Sequence, residues 1–61
     1  MKKINYYFVV GIFNNGDREF IDRTLYAEEA IYIAKSNIRF YNQVIVKFKD
    51  EIIFSSKKEI N

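Results

Sequence analysis

The chain has 61 residues, ten basic and eight acidic side chains and a net charge of +2. It contains no Cys and no His, which excludes disulfides, thiolate or imidazole metal sites, and nucleophiles that depend on those groups. The length permits one domain, residues 1–61, that buries only roughly 60% of the surface exposed on unfolding.

A domain this small usually needs a staple. Without a disulfide or a metal, it is expected to form a homodimer or to hold a partner tightly. Ile, Lys, Asn, Tyr and Phe make up just over half of the chain. Their codons are AT-rich, which suits a low-GC bacterium or one of its phages. The small net charge does not resemble the clustered field of a duplex-DNA binder, so duplex DNA is not expected as a partner. The absence of Cys from so small a domain favours the cytoplasm.

Ile4 to Phe13 reads as the first strand. Ile4, Tyr6, Phe8, Val10 and Ile12 recur with period two and are expected on the core face. Asn5, Tyr7, Val9, Gly11 and Phe13 occupy the other face, which is also largely apolar. A strand apolar on both faces is usually central in its sheet. Lys2 and Lys3 ahead of this run resemble the start of a signal peptide, but Asn14-Asn15-Gly16-Asp17 follows in place of a small-residue cleavage site. The run is too short to span a bilayer, so no membrane is expected.

Asn14-Asn15-Gly16 has the chemistry of a hairpin turn. A two-residue Asn15-Gly16 turn would place Phe20 opposite Gly11, and a three-residue loop ending at Gly16 places it opposite Val10. A one-residue slip flips every side chain of the second strand. The three-residue loop is expected, because it sends the bulkier Phe20 to the core face. The second strand then runs from about Arg18 to Arg23.

Thr24 to Tyr41 holds one helix. Glu28 and Glu29 sit in its first turn, where the helix dipole favours them. Ala27, Ala30, Ile31, Ile33, Ala34, Ile38, Phe40 and Tyr41 fill the apolar half of its circumference. Three alanines on that side allow close approach to a sheet. Asn42 is expected as a left-handed C-terminal residue. Gln43 to Lys49 is a third strand, with Val44, Val46 and Phe48 on one face. Asp50 marks a turn, and Glu51 to Ser56 is a fourth strand with Ile52 and Phe54 alternating. A polar tail of about residues 57–61 is expected to fray. The fold class is α+β, in the order ββαββ: a four-stranded, mainly antiparallel sheet with one helix packed on one face.

Catalytic equipment is sparse. The hydroxyls of Thr24, Ser36, Ser55 and Ser56 have no His to activate them, and Ser55-Ser56-Lys57 sits at the expected fraying end, where nothing excludes water. No carboxylate pair has motif spacing: Glu28 and Glu29 point about 100° apart on the helix. Neither Gly11 nor Gly16 begins a phosphate loop. Gly11 inside a strand signals a bulge or a close packing contact rather than room for a ligand. The chain is therefore expected not to be an enzyme, and to need no metal or cofactor.

The five Tyr and six Phe are the most informative residues. Phe8, Phe20, Phe48 and Phe54 are accounted for as core. Tyr7, Val9 and Phe13 would form a contiguous stripe on the open sheet face, with Tyr32 also turned away from the core. Arg18, Arg23, Lys47 and Lys49 lie on strands near aromatic side chains, a combination that serves nucleotides or single strands. Cations on strands also serve as ordinary protection of sheet edges.

The leading expectation is a small non-enzymatic module, an inhibitor or adaptor that binds a partner protein, of the kind a phage or mobile element directs against a host enzyme. An alternative is a nucleotide-sequestering dimer in which Tyr stacks on a base and Arg18, Arg23 or Arg39 holds phosphate. This alternative needs two copies, since one such domain is thin for a pocket of ~300 Å³ or more. A second alternative is single-stranded nucleic-acid binding. The candidate binding residues are Tyr7, Val9, Phe13, Arg18, Arg23, Tyr32, Arg39 and Lys47.

Overall fold

The computed structural model describes residues 3–57. Four strands, β1 (Tyr7–Ile12), β2 (Arg18–Thr24), β3 (Gln43–Phe48) and β4 (Glu51–Lys57), form one sheet. The helix α1 (Ala27–Asn37) and a short 3₁₀ turn (Ile38–Phe40) lie between β2 and β3. The strand order is β2-β1-β3-β4, and every neighbouring pair is antiparallel. The ββαββ fold expected from the sequence is the fold observed. No helix among the described residues is long and apolar enough to cross a membrane.

The first hairpin closes with the three-residue loop. Phe13 N–H donates to the Asp17 carbonyl (2.8 Å), and Gly16 N–H donates to the Phe13 carbonyl (2.9 Å). Gly16 adopts φ +91°, the left-handed position that glycine fills without Cβ strain. Asn15 holds the loop from within, accepting from Asp17 N–H and donating to its carboxylate. Phe20 therefore pairs with Val10.

Both edge strands contain a bulge. The β1–β2 register shifts between Val9 and Val10, so Ile21 has no partner of its own, and the β3–β4 register shifts between Val46 and Lys47, leaving Ile53 extra. The second bulge separates Ile52 from Phe54. Alternation alone puts them on one face, whereas Ile52 is exposed and Phe54 packs against the core. The second hairpin is a two-residue turn at Lys49 and Asp50, both at positive φ (51° and 66°). That is the mirror-image turn whose twist matches the flanking strands.

The helix is shorter than the segment read for it. Thr24, almost fully buried, marks its entry. Its hydroxyl donates to Glu29 (2.8 Å) and accepts from Tyr26 N–H (3.3 Å). At the other end Ser36 and Asn37 donate their side-chain hydrogens to the Tyr32 and Ile33 carbonyls. Such bonds compete with the backbone and end the α-helix there. Tyr41 is extended and Asn42 is not left-handed; instead Asn42 N–H donates to the Ile12 carbonyl and ties the connection to β1. Phe40, read as part of the apolar half, is exposed. At the C-terminal end β4 extends one residue beyond Ser56, taking in Lys57, which was read as the start of the tail. Residues 58–61 of the expected tail lie outside the described residues.

The core is small and built from small side chains. Val9, Val44 and Val46 of the sheet meet Ala30 and Ala34 of the helix, all with no exposed surface. Tyr7, Ile21, Ile33, Ile38, Tyr41 and Phe54 pack around them. The covered face of β1 is thus the one with Tyr7, Val9 and Gly11. This reverses the face read from the sequence, which placed Phe8, Val10 and Phe20 inside. The reason is steric. A helix presenting alanines approaches closest where the sheet is shallow, and Val9 and Gly11 are the shallow positions. A Cβ on Gly11 would fall on the Tyr41 ring, so Gly11 is a close packing contact.

Candidate functional site

The pleat sends the other half of each strand to the face that the helix leaves open. Reading the registers across the sheet gives three rows on that face. One row is Arg18, Ile12, Gln43 and Lys57. The middle row is Phe20, Val10, Ile45 and Ser55. The third is Arg23, Phe8, Lys47 and Ile52. The middle row is apolar for three of its four positions, with Ile45 itself buried, and cations occur in both outer rows. Gln43 donates to the Ser55 hydroxyl (2.6 Å) and fixes one corner.

On the helix side the corresponding rows end in Glu19, Asp22 and Glu51, and α1 adds Glu28 and Glu29. The two faces of the sheet therefore differ in sign. Cations line the open face; carboxylates edge the covered one, where Lys35 of α1 and Arg39 of the 3₁₀ turn are the basic exceptions. The net charge of +2 conceals this segregation.

The open face is also aromatic. Phe8 is 40% exposed and Phe20 is 58% exposed. Their ring centroids are 6.4 Å apart, and Tyr6 lies 6.3 Å from Phe8 on the other side. Both pairs are tilted rather than stacked on each other. The Arg23 guanidinium sits over the Tyr6 ring, 4.6 Å from its centroid, a cation–π contact. A groove of about 510 Å³ runs over Phe8, Val10 and Phe20, walled by Lys3, Lys47 and Lys49. Asp50 is the one carboxylate among its described lining residues. One protomer thus already offers an open groove, for which the sequence reading called on two copies.

The structure separates the residues singled out in the sequence. Arg18, Arg23 and Lys47 share the open face. Tyr7, Val9 and Phe13 do not, and the stripe they were expected to form there does not exist. Val9 is sealed beneath α1, and Tyr7 is half-buried and stacks on Phe48 (4.2 Å, 20°). Phe13 packs on Tyr41 (5.0 Å) on the helix side. Tyr32 is exposed on the outer surface of α1, and Arg39 lies in the 3₁₀ turn with its guanidinium 5.8 Å from the Phe40 ring. Tyr6, Phe8, Val10 and Phe20 are the residues missed because they were assigned to the core face, and Ile52 because simple alternation set it on the same face as Phe54. One signal pointed to them: Gly11 and the alanines of the helix mark the face that closes.

Beyond the open face, one titrating group among the described residues is perturbed. Tyr41 donates its phenol hydrogen to Glu19 (2.6 Å). That hydrogen bond, reinforced by desolvation and by the carboxylate's negative charge, holds the phenol above its usual pKa. Glu19 thereby anchors the Tyr41 ring over Gly11.

The chain matches no protein-family model, no curated protein and no solved structure.

Proposed function

We propose that this protein is a non-enzymatic binding module that holds an anionic partner on the open face of its sheet. One observation supports the reading above the rest: exposed rings and cations share the face that no element of the described chain covers, and carboxylates lie on the other. Protection of sheet edges accounts for Arg18, Arg23 and Lys57 on the outer strands. It does not account for Lys47, which stands on the central strand β3 directly opposite Phe8. A lysine beside an exposed phenylalanine in mid-sheet is suited to a ligand with both charge and apolar surface.

The homodimer expected from chain length finds little support in this face. Two copies meeting through it would set cations against cations, and like-charge juxtaposition costs several kcal/mol. Pairing through β2 or β4 would meet a bulge in either strand. The inhibitor reading drawn from Tyr7, Val9 and Phe13 loses its surface for the same structural reason that Val9 is buried.

The test is affinity capture from a lysate of a low-GC bacterium, with immobilised wild-type protein and a Phe20→Glu variant. Phe20 lies on an edge strand and is mostly exposed, so the variant is expected to fold, and circular dichroism checks this. A partner retained by the wild type and lost by the variant supports the reading. Equal retention by both refutes it, as does retention by neither.

A further inference from the structure

We infer that the ligand of the open face is a single-stranded nucleic acid, a proposal that rests on the binding-module reading above. Proteins that hold single strands without strong sequence preference combine aromatic platforms for the bases with cations that follow the phosphates. Here Tyr6, Phe8 and Phe20 form a chain of rings at 6.3 and 6.4 Å spacing. The rings are tilted by 58° and 59°, so they do not consume one another's faces by stacking, and only Tyr6 has a face covered, by the Arg23 guanidinium. Cations flank this chain: Arg18 on the β2 side and Lys47 on the β3 side, with Arg23 over the Tyr6 ring and Lys49 over the Phe48 ring.

Three other occupants fit less well. A duplex keeps its bases stacked inside, leaving the exposed rings of Phe8 and Phe20 without contacts. A second copy would bring its own cations. An acidic protein segment would satisfy the charges, but an extended segment cannot readily add to a bulged edge, and it makes no specific use of three adjacent rings. Single-stranded nucleic acid uses both features at once.

The experiment is fluorescence anisotropy with a labelled oligothymidylate of about ten nucleotides, a length suited to a site of this size. If four phosphates are neutralised, affinity is expected to fall roughly 50-fold between 50 and 200 mM salt. Phe20→Ala is expected to weaken binding at least about fivefold. Lys47→Gln is expected to lower the salt slope by about 0.7. Tyr32→Ala, on the outer surface of the helix, is expected to bind as the wild type does.

Absence of saturable binding up to about 100 µM overturns the proposal, since even non-specific binding falls below that level. So does a Phe20→Ala variant that folds and binds as tightly as the wild type, because the rings would then be idle. Equal or tighter binding of a duplex of the same length, or equal displacement by polyglutamate, also overturns it. Nuclease treatment of the lysate separates the two proposals. Capture that survives nuclease, together with silence toward the oligonucleotide, leaves the binding face standing and removes nucleic acid as its ligand.

Discussion

Replacing Gly11 with Ala tests the packing that decides which face is covered. In most strand interiors this change stabilises, by roughly 0.5–1 kcal/mol, because glycine loses more freedom on folding. Here the new methyl group would occupy the space of the Tyr41 ring. The ring cannot withdraw freely, since Phe13 packs on it and Glu19 holds its hydroxyl. Overpacking of this kind costs about 1–3 kcal/mol, and displacing the ring also loses an exposed hydrogen bond of about 0.5–1.5 kcal/mol. The expected net change is a destabilisation of about 1–3 kcal/mol, or a fall in Tm of roughly 4–8 °C for each kcal/mol in a domain of this size. Urea denaturation followed by far-ultraviolet circular dichroism measures it. The same substitution in a Tyr41→Ala background should be neutral or mildly stabilising, because the space is then free. A Gly11→Ala variant at least as stable as the wild type would show that Tyr41 does not seal this face. So would a double mutant in which the cost persists.

The face assignment makes a second prediction. Val9→Ala should cost about 1.5–2 kcal/mol, the burial of its two methyl groups, whereas Phe8→Ala should cost clearly less than the 3–5 kcal/mol typical of a buried phenylalanine. Thermal melts of the two variants compare them, and a Phe8→Ala cost of 3 kcal/mol or more would return Phe8 to the core. A third prediction concerns pH. The Tyr41 phenol is held above its usual pKa in the folded state, so its contribution to stability is fully present below the unfolded pKa, about 10. That contribution is lost as pH rises through the folded value. The stability difference between wild type and Tyr41→Phe should therefore be constant from pH 7 to about 9 and shrink above pH 10, followed by urea midpoints. A difference that widens with alkaline pH would refute the Glu19 hydrogen bond as its cause.

Local chemistry made the element order legible. Asn14-Asn15-Gly16 marked the hairpin but fitted a two- or a three-residue loop. The three-residue loop and the Phe20–Val10 pair are observed, although Phe20, whose placement in the core was the ground for expecting them, lies exposed on the open face. The alanine spacing of α1 and the alternation of Val44, Val46 and Phe48 likewise identified surfaces that do face each other. The candidate site was less legible: of its residues, only the cations Arg18, Arg23, Lys47 and Lys49 were named, as charges on strands near aromatic rings.

What the sequence could not decide was which side of β1 the helix would cover. That strand is apolar on both faces, so its period-two pattern is degenerate and admits either answer. The bulkier set, Phe8, Val10 and Phe20, was the natural core by hydrophobicity alone. The tertiary structure selects the opposite side, because close approach depends on shape as well as apolarity: Gly11 admits the Tyr41 ring, and Val9 meets Ala30 and Ala34. The bulges at Ile21 and Ile53 are also products of long-range pairing, and the second moves Ile52 to the open face. Sequence determined the elements and their turns; the contact between Gly11 and Tyr41, thirty residues apart in the chain, accompanies the choice of which rings remain exposed.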